Sequence, residues 1–173
     1  MPKEYGQACP VAKSLEFLGE RWTLLIVRDL FTGPKKFQDL LASLKGVAPG
    51  VLSHRLKVLE EHEIIRRQLY SDHPPRAEYT LTERGAALRP AIRALAIWGA
   101  QYLGADRMVI HDRCGSAIEM AYYCPSCNEL VAAGAASYRN VARHAATGVG
   151  RQPKHPRRPG LAARQTRSST PAV

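Results

Sequence analysis

The hydrophobic period of this chain switches from helix to strand near residue 64 and back near residue 83, and that switch narrows the fold class most. Before it, apolar residues recur at helical spacing: Phe37, Leu40, Leu41 and Leu44, then Leu52, Leu56 and Leu59. Such spacing puts one apolar stripe along each helix. After it, "IIRRQLY" (64–70) and "AEYTLT" (77–82) are rich in β-branched and aromatic residues, and the intervening "SDHPPR" is turn chemistry. The stretch 64–82 therefore reads as a β-hairpin with a polar tip.

The punctuation around these runs sets the other elements. Pro10 suits the first turn of a helix over 10–18, which Gly19 breaks. An apolar, central helix is expected over 20–31, ended by Gly33 and Pro34, and a third helix over 36–44. Gly46 and Pro49 frame a turn into a fourth helix over 49–62. Thr82 is placed to cap a long helix over 83–103, with a kink point at Pro90 and an apolar face through Leu88, Ile92, Leu95 and Tyr102. Short helices, a tight turn, a hairpin and a long helix spell a winged helix-turn-helix, mainly α with a small β-wing (α+β).

At 173 residues the chain can build one ordinary core and a small appendage. Three regions follow: a winged domain over 9–104, a small Cys-containing hairpin unit over 108–131, and a tail over 139–173. The formal charge is +10, but the tail alone carries eight Lys or Arg and no acid. With so little apolar content it reads as a disordered basic extension. The near-neutral body must show nucleic-acid affinity by local placement, not by net charge. No apolar run approaches the ~20 residues of a membrane span. "MPKEYGQACP" has no secretory apolar stretch. A soluble cytoplasmic protein is expected.

The fourth helix carries the strongest functional signal. With Leu52, Leu56 and Leu59 inward, Gly50, Ser53, His54 and Lys57 fall outward, in the portion with which a recognition helix reads the major groove. Gly50 admits close approach; Ser53 and His54 suit base edges; Lys57 reaches a base or a phosphate. Arg55, nearer the core edge, is expected on phosphate. Lys35 and Lys36, before the third helix, are expected to clamp phosphate, and Arg76, at the wing tip, to put a cation into the minor groove. On the wing strand Arg67 is a further candidate contact, while alternating Arg66 and Arg67 can equally face water. Outward polar residues are more often merely solvated; the neighbouring wing raises the DNA reading above that.

The joint pattern of "GERWTLLIVRDL", "RLKVLE" and "EYTLTERG", in this order and spacing, resembles the HxlR family of bacterial transcription regulators over about residues 9–104. The resemblance implies a sequence-specific regulator that binds double-stranded DNA at a palindromic operator as a homodimer, with the long helix in the dimer interface. It also implies a cysteine near Cys9 that senses oxidants or electrophiles in some members. Against that stands a small buried cysteine packing the first helix. Two positions depart from the family: Ala48, where a small hydroxyl commonly caps the fourth helix, and Glu63, where Gly is usual.

Beyond the winged domain, His111 and Cys114, then Cys124 and Cys127, repeat an x2 spacing that lets a tight turn aim two ligands at one ion. Gly115 and Asn128 follow the pairs and tolerate left-handed backbone. A structural zinc site is expected on these four residues, and the resemblance adds that similar Cys-rich extensions follow the winged helix in some relatives. Two rivals stand: a winged helix that binds protein, disfavoured by the polar, basic outward face, and a redox dithiol at "CPSC", which lacks a thioredoxin-like βαβ context. No nucleophile–base pair or phosphate loop is present, so no catalytic residue and no enzyme activity are expected.

Overall fold

The computed structural model describes residues 4–72, 75–104, 108–132 and 134–136. The last residues of the wing tip and the basic tail over 139–173 lie outside the described residues. The chain divides into two compact units, residues 1–121 and 122–173, each taken by itself below.

The first unit begins with α1 (Pro10–Leu18) and α2 (Thr23–Leu30), followed by a two-residue strand β1 (Lys35–Lys36), α3 (Phe37–Ser43) and α4 (Pro49–Glu61). The wing is β2 (Ile65–Asp72) and β3 (Pro75–Leu81), after which α5 (Glu83–Ala86) and α6 (Arg89–Tyr102) complete the domain. All strands are antiparallel, in the order β1-β3-β2.

The core is the set of inward stripes. Ile26, Val27 and Leu30 of α2 meet Leu40 of α3 and Leu52, Leu56 and Leu59 of α4, closed by Leu44, Val47, Ile64 and Ile65. Full burial of such side chains contributes roughly 1.5–3 kcal/mol each. Gly46 turns the chain between α3 and α4 at φ 88°, in the left-handed region where only glycine is free of strain.

Several boundaries differ from the sequence expectation. The second helix starts at Thr23, not residue 20, because Trp22 takes φ 79° and interrupts the helical path. Its ring is covered by the Arg21 guanidinium at 4.8 Å. The wing strands run further into "SDHPPR" than their propensities suggest, and Lys35–Lys36 forms an edge strand on Tyr79 and Glu78 of β3. The long helix is two helices. Proline at the second position of α6 has no N–H to continue a ladder from α5, so the chain restarts at Arg89.

In the second unit, β4 (Tyr122–Cys124) and β5 (Glu129–Val131) make a short antiparallel hairpin. Strand structure thus flanks the Cys124–Cys127 pair.

Candidate nucleic-acid interface

Helix α4 is presented by bracing on its inner side. Arg55 Nη2 pairs with Glu20 Oε2 at 2.6 Å, and its Nε donates to the Arg21 carbonyl at 3.3 Å. His62, at the end of α4, stacks on Phe17 of α1 with ring centroids 4.1 Å apart and planes 9° from parallel. Arg55, expected on phosphate, is held here as a tie between α4 and the α1–α2 loop. The ion pair is only partly exposed, so solvent screens it less than a free surface pair.

The outward residues of α4 are placed as the helical wheel requires: Gly50, Ser53, His54 and Lys57 are all exposed. A Cβ at Gly50 would meet nothing within 4 Å, so the fold itself makes no demand for glycine there. Lys57 has one loose partner, Glu61 one turn on at 3.8 Å. His54 lies toward α1, on the rim of a groove of about 390 Å³ with Glu16, Glu20 and His62.

The start of α3 and the wing form a second groove, of about 590 Å³, lined by Lys36, Gln38, Arg67, Arg76 and Tyr79. It brings together three of the expected cations. β1 creates it: pairing Lys36 with Glu78 draws the entry of α3 against the wing. The Asp39 carboxylate accepts the Lys36 N–H at 2.9 Å and fixes that entry. Lys35 is half-buried beside Tyr79 in the sheet and does not line the groove. Of the two wing arginines, Arg67 lines it and Arg66 does not. Gln38 is not foreseen from the sequence, because an uncharged residue in a helix's first turn carries no electrostatic signal; its place at the start of the first motif helix is the available clue.

The wing is anchored by Thr82. Its hydroxyl donates to the Glu63 carbonyl at 2.6 Å and accepts the Gly85 N–H at 3.1 Å. Gly85 packs so tightly that a Cβ would stand 2.1 Å from the Ile64 carbonyl oxygen. The "TLTERG" run thus pins the exit of β3 to the entry of β2.

Cys9 is half-buried at the cap position of α1 and free. The metal-type residues fall in different units. In the first, His111 Nδ1 lies 3.2 Å from Cys114 Sγ. The Ser116 hydroxyl, then its backbone, hydrogen-bonds Cys114 and holds that thiol below its usual range. In the second, Cys124 and Cys127 sulfurs are 3.6 Å apart. The Cys127 backbone, then its side chain, lowers the Cys124 thiol in the same way. Among the described residues, no group of three or more His, Cys, Asp or Glu side chains gathers as a metal cluster. No helix among them is long and apolar enough to cross a membrane.

Comparison with known proteins matches these features. The chain is 40% identical over 127 residues to the uncharacterized HTH-type transcriptional regulator Rv3095 of Mycobacterium tuberculosis (strain ATCC 25618 / H37Rv), covering 71% of this chain and 80% of Rv3095. The crystal structure of PA1607, described as a putative transcription factor, superposes with a TM-score of 0.66 at 29% identity, over 79% of this chain and 97% of PA1607. The reduced form of the redox regulator HypR superposes at 0.52 with 29% identity, over 54% and 92% of the two chains. Residues 17–107 match the HxlR-like helix-turn-helix family, and the chain belongs to that family.

Proposed function

We propose that this chain is a DNA-binding transcriptional regulator that recognises a palindromic operator as a homodimer. The observation that carries the reading is the groove in which Lys36, Arg67 and Arg76 stand together beside the helix-turn-helix. Cations converging from two elements, next to an outward helix face of Gly50, Ser53, His54 and Lys57, suit a duplex backbone and its major groove. The division of labour is specific. The groove cations position the duplex and are blind to sequence, whereas Ser53 and His54 meet base edges. Arg67→Ala and Arg76→Ala should each weaken binding to every sequence alike and flatten the salt dependence by about one unit per lost phosphate contact. Ser53→Ala or His54→Ala should reorder base preference instead. Fluorescence anisotropy at several salt concentrations measures both, and groove variants with wild-type salt slopes would remove the groove from the interface.

Pairing through α6 fits the two-fold symmetry of such an operator. A thiol switch at Cys9 is a second branch, supported by the redox-regulator description of HypR and by the half-buried, free thiol at the cap position of α1. Diamide should release operator from the wild type and not from Cys9→Ser; equal release from both would remove Cys9 as sensor.

A further inference from the structure

The hairpin of the second unit holds two thiols that its own backbone brings together. β4 and β5 pair Tyr122 with Val131, Tyr123 with Leu130 and Cys124 with Glu129, which leaves residues 125–128 as the loop. The Asn128 N–H returns to the Cys124 carbonyl at 2.9 Å, and Asn128 takes φ 58° to make that return. The Tyr123 hydroxyl clasps the same residue, donating to Asn128 Oδ1 at 2.5 Å. Cys124 opens the loop, Cys127 lies within it, and their sulfurs stand 3.6 Å apart.

Two thiols this close are one covalent step from a disulfide. An S–S bond is about 2.05 Å long, so the sulfurs must close by roughly 1.5 Å, which small side-chain rotations supply. The ladder closes the loop before any such bond forms, so the cross-link costs little further chain entropy. Access is graded: Cys127 is exposed and Cys124 half-buried. None of the described residues of this unit is buried, so a small oxidant reaches Cys127 without the hairpin opening.

The turn at His111 and Cys114, in the first unit, supplies the contrast. It has the same left-handed residue after its second position, Gly115, and the same returning hydrogen bond. A histidine stands there where Cys124 stands here, so Cys114 has no sulfur partner within its turn.

We propose that Cys124 and Cys127 are a redox dithiol that reduces low-molecular-weight disulfides and is itself converted to an intraloop disulfide. The Cys127 thiolate attacks one sulfur of the small disulfide. A mixed disulfide forms, the substrate S–S bond breaks, and the departing thiolate takes up the proton that Cys127 gave up. Cys124 then loses its proton and attacks Cys127 Sγ, which forms the protein disulfide and expels the second thiolate, protonated in turn. Two protein thiols are oxidised and one small disulfide is reduced to two thiols, with no other co-reactant. A hairpin is not the βαβ scaffold of a thioredoxin-like enzyme, so the pair reacts once per chain until a reductant restores it. The proposal rests on neither DNA binding nor Cys9 and fails separately from both.

The test uses the full-length protein, with all four cysteines reduced, treated with oxidised glutathione and quenched with N-ethylmaleimide. Trypsin leaves Cys114, Cys124 and Cys127 on one peptide, residues 114–139. Before oxidation that peptide should carry a maleimide on each of its cysteines. Afterwards it should carry one, on Cys114, and an internal disulfide that dithiothreitol opens to restore the rest. Cys124→Ser should stop the reaction at the glutathione mixed disulfide on Cys127, and Cys9→Ser should change nothing. A wild-type peptide that stays fully labelled in excess oxidised glutathione, keeps glutathione on Cys127, or joins two chains overturns the proposal. So do thiols that oxidise only after a chelator is added, which is the mark of a bound metal.

Discussion

Glu63 shows how much a single residue can reveal about backbone geometry. Its N–H bonds back to Glu60 and that of Ile64 to Leu59, both at 2.9 Å, which is the double closure of a helix C-terminus. The residue between must be left-handed, and Glu63 is, at φ 56°. The family's usual glycine points to this position. Glu63→Gly should raise stability by about 1 kcal/mol. The ion pair lost with the Glu63 carboxylate is an exposed one, with Arg84 at 3.5 Å, and worth little. Urea unfolding followed by circular dichroism reads the gain; an unchanged or lower midpoint would mean that the strain is relieved elsewhere. Ala48 is legible in the same way: it sits at the cap of α4 with no side-chain bond to offer. Trp22 is not, because nothing in "GERWTL" marks an aromatic residue for positive φ. Arg55 falls on the expected face, but its tie to Glu20 joins residues 35 positions apart, and spacing carries no information about that.

Elements with a strong period are legible in the sequence and those set by pairing are not. The stripes of α3 and α4 can be read nearly residue by residue, since burial of one face dictates both the residues and their spacing. β1 is invisible. Two lysines have no strand propensity, and they become a strand only because β3 offers a free edge. The division between α5 and α6 is half-legible: Pro90 marks the place and not the outcome. What α6 does next follows from its surface. None of its residues is buried, and Leu95, Trp98 and Tyr102 are 53–62% exposed, with the Trp98 and Tyr102 rings 5.7 Å apart. Each is already about half covered, so the proposed dimer would add about half of the roughly 1.5–3 kcal/mol that full burial of such a side chain contributes. Trp98→Glu should convert a dimer to a monomer with an unchanged helical spectrum and weaker operator binding. Light scattering during size exclusion checks it, and a wild type that is monomeric at tens of micromolar would remove α6 as the interface.

At the scale of the whole molecule, the helix proposed to read DNA is braced beside a groove lined by Lys36, Arg67 and Arg76. The buried stripe of α4, the Arg55–Glu20 tie and the His62–Phe17 stack hold the helix still. The Thr82 bonds hold the wing to it, and the β1 edge closes the groove. Rigidity matters because base-edge contacts discriminate only when donor and acceptor are held in register. The architecture is legible in the order of periods; the groove is not, because it depends on an edge pairing. The most direct measurement is the affinity of the purified protein for its own upstream DNA against scrambled duplex at fixed salt. The wild type should prefer its own DNA by at least ~10³-fold. The quadruple change of Ser53, His54, Lys57 and Arg76 to Ala should abolish that preference while leaving the fold intact. A quadruple variant that binds the same DNA as tightly and as selectively as the wild type would contradict the account.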